Sequence, residues 1–362
     1  MEKTILTRKI QLVINCRDKE ALKEYYDRVY EYQRQTCKAA NMINTHLFLQ
    51  DRLKDLVYLT RDTKAKLADA EKDEAGILTT SHMNSVYRTL SSHFLKILPS
   101  STLSNLNQAV YRTYQSNREQ YWKGEKSIPN FRKDIPIPFS SRDITLCEEA
   151  DGKNFTFSLF KIPFKTYLGR ERSGIRQILR KIASGELPLR QSAIQLKKNK
   201  IYLLASLETE KQEYELDASL VAEVSLSMEY PLVVKIGREE LQIGNKEEFL
   251  YRRLSIQAAR RRLQIAATWN RGGKGRKKKL KSLENYSDKE KNYVESKLHL
   301  YSRKLVDHCI RAGAGTILLV NQSYKEEVAR ETPMLLRNWS YYGLKSKIAY
   351  KAGLANILLM EE

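Results

Sequence analysis

The feature that most constrains this fold is the run Ser219–Ile243, SLVAEVSLSMEYPLVVKIGREELQI, taken together with the later segment Gly315–Val320, GTILLV. Apolar and β-branched residues alternate or cluster there over short spans, which predicts two consecutive strands joined by a short turn. Val221, Val224 and Leu226 fall on the first strand, and Leu232, Val233, Val234 and Ile236 on the second. GTILLV predicts a third strand, apolar throughout and therefore buried. Between the pair and the third strand, Phe249–Ala312 reads as a long, basic, helical insertion, and Pro333 to Gly353 predicts a last helix that places Trp339, Tyr342 and Ile348 on the sheet. A final strand is expected over Asn356–Met360.

Charge narrows the class of partner. The 362 residues hold 64 Lys and Arg against 43 Asp and Glu, a net +21, which calls for a polyanionic partner or a purely solubilising role. The excess is densest over Arg252–Lys281, which holds twelve basic residues and no acid: Arg252, Arg253, Arg260, Arg261, Arg262, Arg271, Lys274, Arg276, Lys277, Lys278, Lys279 and Lys281. A run without acids is not an ordinary salt-bridged surface, so these residues are predicted to contact phosphates. The first half is expected to be helical, with Leu254, Ala258 and Leu263 inward and Arg260, Arg261 and Arg262 spread around the axis. The Gly- and Lys-rich second half is expected to be mobile. Ser287-Asp288-Lys289-Glu290 reads as a capping box opening a separate helix. Its stripe is Val294, Leu298, Tyr301, Leu305 and Cys309, and Gly313 ends it. Asp307 and His308 near its end read as surface or core polar residues rather than a catalytic pair.

No run of eighteen apolar residues exists, and MEKTILTRKIQLVIN lacks the apolar block of a signal peptide, so a cytoplasmic protein without a membrane span is expected. Cys16, Cys37, Cys147 and Cys309 are scattered in apolar or helical patterns and read as reduced core residues.

From the N-terminus, Thr4–Ile14 alternates as a half-buried strand. Asp18 is the expected N-cap of a long helix reaching about Leu59, with Leu22, Tyr26, Val29, Gln33, Thr36, Ala40, Ile43 and Leu47 on one stripe. Tyr25, Tyr26, Tyr30 and Tyr32 crowd its start, either as bundle core or as contacts to nucleic acid or a second protomer. Thr79–Asn84 opens another helix. A third follows Pro99, carrying Leu103, Leu106, Val110, Tyr111, Tyr114 and Tyr121-Trp122, with Arg112, Arg118 and Lys123 on the same helix. The three prolines of Ser127–Phe139, SIPNFRKDIPIPF, break helix and carry Arg132 and Lys133. Hairpins are expected around Asp151-Gly152 and around Lys197–Lys200.

Four segments together resemble a known family. They are Glu223-Val224-Ser225-Leu226-Ser227, Ala259-Arg260-Arg261-Arg262-Leu263, Gly272-Gly273-Lys274-Gly275-Arg276-Lys277 and Leu319-Val320-Asn321. Miniature type V-F CRISPR effectors and transposon-encoded TnpB proteins carry Asp-x-Gly on the first strand of a RuvC-type (ribonuclease H-like) nuclease core. A basic (A/R)RR helix follows, then a Gly/Lys/Arg stretch and a strand ending Glu-Asn. The chain resembles that family with Ser225 and Val320 in place of two metal-binding carboxylates. Glu223 shares a face with Ser225 but sits about 7 Å along the strand.

The resemblance implies an α+β multidomain fold. A β-barrel wedge domain (1–16 plus 127–216) receives an inserted helical recognition domain (17–126). A degenerate RuvC-like domain (217–362, with the basic insertion 249–312) follows, without the family's four-cysteine zinc ribbon. It implies a chain that is not an enzyme and holds no metal or other cofactor. The expected partners are a guide RNA and target double-stranded DNA, in a homodimer on one guide RNA. Thr80, Ser81, Asn84, Tyr87 and Arg88 would read a short flanking DNA motif, although Thr80 and Ser81 serve equally as helix caps. The implied output is regulation of transcription at the nucleoid. It would act by recruiting RNA polymerase through a sigma factor or by occupying a promoter. Two rival readings remain: a general RNA-binding protein, and an active nuclease, which would require carboxylates not located in the sequence.

Overall fold

A computed structural model of the chain describes residues 3–56, 82–169, 174–210, 213–225, 230–269, 273–320 and 341–362. It divides into two compact units, Lys3–Thr209 and Glu210–Glu362.

The first unit is built on a seven-stranded sheet. Its strands are β1 (Lys3–Ile14), β2 (Ile137–Phe139), β3 (Cys147–Glu148), β4 (Phe155–Leu159), β5 (Ile162–Tyr167), β6 (Ser192–Lys197) and β7 (Lys200–Glu210), in the order β2-β6-β7-β1-β5-β4-β3. Strand β1 alternates as its sequence requires, burying Ile10, Leu12 and Ile14. It is a central strand, although helices separate it in sequence from all the others. Lys198 and Asn199, with φ of 54° and 60°, make the two-residue turn between β6 and β7.

The expected barrel does not close, because β2 and β3 remain the two edges of the sheet. Physical reasons lie in the edges themselves. Strand β2 has three residues, and Pro138 at its centre has no N–H to donate to a further neighbour. Strand β3 has only two residues, both exposed, so Cys147 is an exposed thiol rather than the expected core residue. The sequence also left unremarked the short amphipathic helix Ile175–Ala183.

Helix α1 (Lys19–Leu56) begins where expected, with the Asp18 carboxylate accepting from the N–H groups of Glu20 (3.1 Å) and Ala21 (3.3 Å). Its first half lays Leu22, Tyr25, Tyr26, Val29 and Tyr32 against the sheet core. Its second half buries Ala39, Ala40, Ile43 and Leu47 against α2 (His82–Phe94) and α3 (Ser100–Gln115). The tyrosines are thus mainly core, and the exposed Tyr30 donates to Asn199 Oδ1 at 3.2 Å. The predicted third helix ends at Gln115 and resumes as α4 (Arg118–Trp122). Asn41 of α1 clamps the proline-rich connection, accepting from Phe131 N–H (2.7 Å) and donating to Phe131 C=O (3.0 Å).

The second unit holds a five-stranded mixed sheet of β8 (Asp217–Ser225), β9 (Leu232–Ile236), β10 (Glu239–Ile243), β11 (Ala314–Leu319) and β12 (Leu358–Glu361), in the order β10-β9-β8-β11-β12. Strands β8, β9 and β10 form an antiparallel meander, while β11 runs parallel to both β8 and β12. Gly315 is required there, because a Cβ would lie 2.8 Å from the Asp217 carbonyl of the adjacent strand. Helices α5 (Ile175–Ala183, first unit), α6 (Lys246–Thr268), α7 (Gly273–Ala312) and α8 (Tyr341–Leu354) complete the described helices. Leu298, Tyr301, Leu305 and Cys309 of α7 meet Leu344 and Ile348 of α8 and the apolar faces of β8, β9 and β11 in one core.

Three expectations change here. Helix α7 is continuous from Gly273, so its Gly- and Lys-rich start is helical and Ser287–Glu290 is not a helix start. Leu254 and Ala258 of α6 face solvent, and the inward stripe is Phe249, Arg253 and Ile256. Leu226, Trp339 and the first part of the predicted last helix lie outside the described residues, and α8 is described from Tyr341.

Candidate nucleic-acid interface

Helices α6 and α7 pair as a hairpin, and the basic run is divided between its inner and outer faces. Asn245 caps α6, its Oδ1 accepting from Glu247 N–H at 2.7 Å. Along the seam, Arg253 is only 1% exposed and donates through Nη2 to Glu290 Oε1 of α7 at 2.9 Å. Gln257 Nε2 donates to the same oxygen at 3.3 Å, and Lys297 pairs with Glu248. Arg253 is therefore corrected from a phosphate contact to a seam residue, since its charge is neutralised inside the protein.

The outer face keeps most of the expected set. Arg252, Arg261 and Arg262 are exposed on α6, Arg260 is half-buried, and Lys278 and Lys281 are exposed on α7. Lys274, Arg276, Lys277 and Lys279 fall on the first turns of α7, and Arg271 lies outside the described residues. Consecutive positions on a helix turn by about 100°, so Arg260–Arg262 fan around α6, one towards the seam and two away from it.

In the first unit, Arg112 of α3 and Arg132 and Lys133 of the proline-rich connection are exposed. Arg118 is exposed too, but its guanidinium is held by the buried Asp51. Its Nε and Nη2 donate to the Asp51 carboxylate at 2.8 and 3.0 Å, and the Tyr114 hydroxyl donates to the same group at 2.8 Å. Asn84 and Arg88 are exposed on α2, Tyr87 packs partly against the helical core, and Thr80 and Ser81 lie outside the described residues.

The strand ends carry the other expected site. Leu319 of β11 pairs with Val224 of β8, and Val320 N–H donates to Val224 C=O at 3.1 Å. Ser225 and Val320 are thus side by side where two parallel strands end. Magnesium-assisted cleavage needs converging carboxylates. A neutral hydroxyl and an isopropyl group do not fit that ion, and Glu223 lies on the exposed face of β8. Among the described residues, no group of three or more His, Cys, Asp and Glu is placed to hold a metal. Asp307 pairs with Arg303 at 2.9 Å and His308 is half-buried, one helix position further on.

Sequence reasoning missed a polar cluster between α7 and α8. Lys351 Nζ donates to His299 C=O and to Ser302 Oγ, the latter at 2.8 Å. Burial, aided by Arg303 and Lys347, pushes this ammonium down to about 8. Burial and the same lysines lower the His299 pKa. A lysine four residues after another on a helix gave no sign of burial in the sequence. The Arg253–Glu290 seam did leave a signal, since Phe249, Arg253 and Ile256 share one helical stripe.

A Cas12f1 of Sulfoacidibacillus thermotolerans, named a CRISPR-associated endodeoxyribonuclease, is 29% identical over 276 residues, 71% of this chain and 65% of the relative. The match therefore spans less than two thirds of that relative's length. A Cas12f1 of Syntrophomonas palmitatica, named likewise, is 42% identical over 83 residues, 23% of this chain and 16% of the relative. A Cas12f1 solved by cryo-electron microscopy with single guide RNA and target DNA shares the fold. Its TM-score is 0.67 at 13% identity, covering 99% of this chain and 89% of that one. No protein-family model matches the chain. These relatives overturn one expectation. The chain was read as not an enzyme, whereas both curated relatives carry the name of an endodeoxyribonuclease. Among the described residues, no helix is long and apolar enough to cross a membrane.

Proposed function

The chain is homologous by sequence to the Cas12f1 miniature type V-F CRISPR effectors, and from that premise we propose that it binds a guide RNA and is directed by it to double-stranded DNA. In such an effector, base pairing between guide and one DNA strand reads the sequence, while the protein holds the backbone and reads a short flanking motif. The observation that carries this reading is the 29% identity over 276 residues. The basic run of the α6–α7 hairpin supports it, because the exposed arginines and lysines between Arg252 and Lys281 have no acid among them in the sequence and suit phosphates.

Finer parts of the proposal concern assembly and output. Two copies share one guide RNA, and the complex acts in the cytoplasm, at the nucleoid when DNA is bound. An RNA–DNA hybrid held at a promoter changes transcription there, by recruiting RNA polymerase through a sigma factor or by occupancy. Phosphodiester cleavage, the activity in the relatives' names, is assayed on the same bound target, and Ser225 and Val320 are given no role in it.

Copurified RNA tests the proposal. One defined species, protected along a constant scaffold and carrying a variable pairing segment, is the expected result. A heterogeneous RNA population would overturn it in favour of a general RNA-binding protein.

A further inference from the structure

Helix α6 has a second face that the core does not use. Tyr251 and Trp269 are 77% and 82% exposed, and Leu254 and Ile265 between them are 48% and 53% exposed. Tyr251 and Trp269 are eighteen residues apart, which is five turns at 3.6 residues per turn. They therefore project in the same direction, about 27 Å apart along the axis. Ala258 and Arg262 fall on the same face, and Arg261 borders it. The opposite face is the buried stripe of Phe249, Arg253 and Ile256. Large exposed apolar groups in register mark a binding surface rather than chance exposure.

Charge selects the occupant. Exposed Glu247 precedes Tyr251 by one turn, but no acid occurs from Arg252 to Lys281, so over most of its length the same face of a second copy would meet it with like charge. Arginines beside the stripe suit phosphates instead. Exposed aromatic faces suit bases whose own faces are free, and a duplex hides those faces within its stack.

We propose that this face of α6 is a stacking platform for an unpaired DNA strand, with bases against Trp269 and Tyr251 and phosphates on Arg261 and Arg262. The source of that strand rests on the function proposed above, since guide pairing with one DNA strand sets the other free. The chemistry of the platform does not depend on it.

Binding of the full-length chain to a labelled oligothymidylate of about 16 nucleotides tests this, beside a duplex and an oligouridylate of equal length. Trp269→Ala and Tyr251→Ala should each weaken oligothymidylate binding about fivefold or more. The salt slope and duplex affinity should not change, and Trp269→Phe should retain most of the binding. Replacing Arg261 and Arg262 by Gln should lower the single-strand salt slope by up to about 1.4. Thermal melting confirms that these exposed substitutions leave the fold intact. Unchanged oligothymidylate affinity in both aromatic variants would overturn the platform and assign the face to a protein helix. An effect confined to oligouridylate, or equal on duplex and single strand, would also overturn it. If no defined guide copurifies while Trp269→Ala still weakens oligothymidylate binding, the proposed function fails and the platform stands.

Discussion

Glu290→Ala tests the division of the basic run into seam and surface. The substitution leaves the buried Arg253 guanidinium without the carboxylate that sits 2.9 Å away. Removing one partner of a buried ion pair costs about 3–5 kcal/mol. The Glu290 side chain keeps 16% exposure, so water screens part of the loss and the lower end, about 3 kcal/mol, applies. Loss of the Gln257 bond to the same oxygen adds up to about 1 kcal/mol. For a unit of this size each kcal/mol lowers Tm by about 2–4 °C, so the unfolding transition should fall by roughly 6–16 °C. Replacing Arg253 and Glu290 together by Met should recover most of that, because a buried pair exchanged for apolar volume is close to neutral. Differential scanning calorimetry reads the transition, and a salt titration of duplex DNA binding by Arg253→Met reads the surface. A Glu290→Ala drop under about 2 °C, or an Arg253→Met loss of salt slope equal to that of Arg261→Gln, would refute the seam assignment.

Other outcomes follow from the same structure. Asp51→Ala removes the acceptor of the buried Tyr114 hydroxyl and the fork of Arg118, and should cost about 2–3 kcal/mol in denaturant unfolding. Neutralising Arg261 and Arg262 should weaken duplex binding whatever the sequence, lowering the log–log salt slope by up to about 0.9 per lost contact, while Arg260, half-buried, should lower it less. The Lys351 ammonium titrates near 8 in the folded chain and at its ordinary 10.5 when unfolded. Between those values the unfolded chain binds more protons, so stability should rise with pH from about 8 to 10.5. Lys351→Met should flatten that rise in melts across the window, and a parallel rise in the variant would contradict the assignment.

Much of the fold was legible because burial leaves a period. Strands β1, β8, β9 and β11 were readable from alternation or from unbroken apolar runs, and α1 from its stripe and the Asp18 cap. The inner face of α6 was misread because its buried members include an arginine. Arg253 shares the stripe of Phe249 and Ile256, but its partner Glu290 lies 37 residues away, so the stripe alone does not say what neutralises it. Leu254 and Ala258 were placed inward by apolarity alone, whereas the helix presents them to solvent. The supposed capping box at Ser287 failed for a related reason. Good local capping chemistry does not interrupt a helix whose turns on both sides already pack. A barrel was expected from the family resemblance, but closure depends on edge hydrogen bonding, and Pro138 and the two-residue β3 decide that. At the site, the sequence identified the basic helix and the neighbouring positions Ser225 and Val320. It could not separate Arg253, buried in the seam, and Arg118, exposed but held by the buried Asp51, from the arginines of the outer face.

The account rests on guidance by RNA, and one binding measurement tests it most directly. The chain is loaded with the RNA that copurifies with it, and its affinity is measured for duplex DNA carrying the complement of the variable segment. Affinity for the same duplex with mismatches at one end, then the other, and for a scrambled duplex completes the set at fixed salt. The account predicts tight binding to the matched duplex and loss when mismatches fall in the segment that pairs first, with tolerance at the far end. Equal affinity for matched and scrambled duplexes would contradict it.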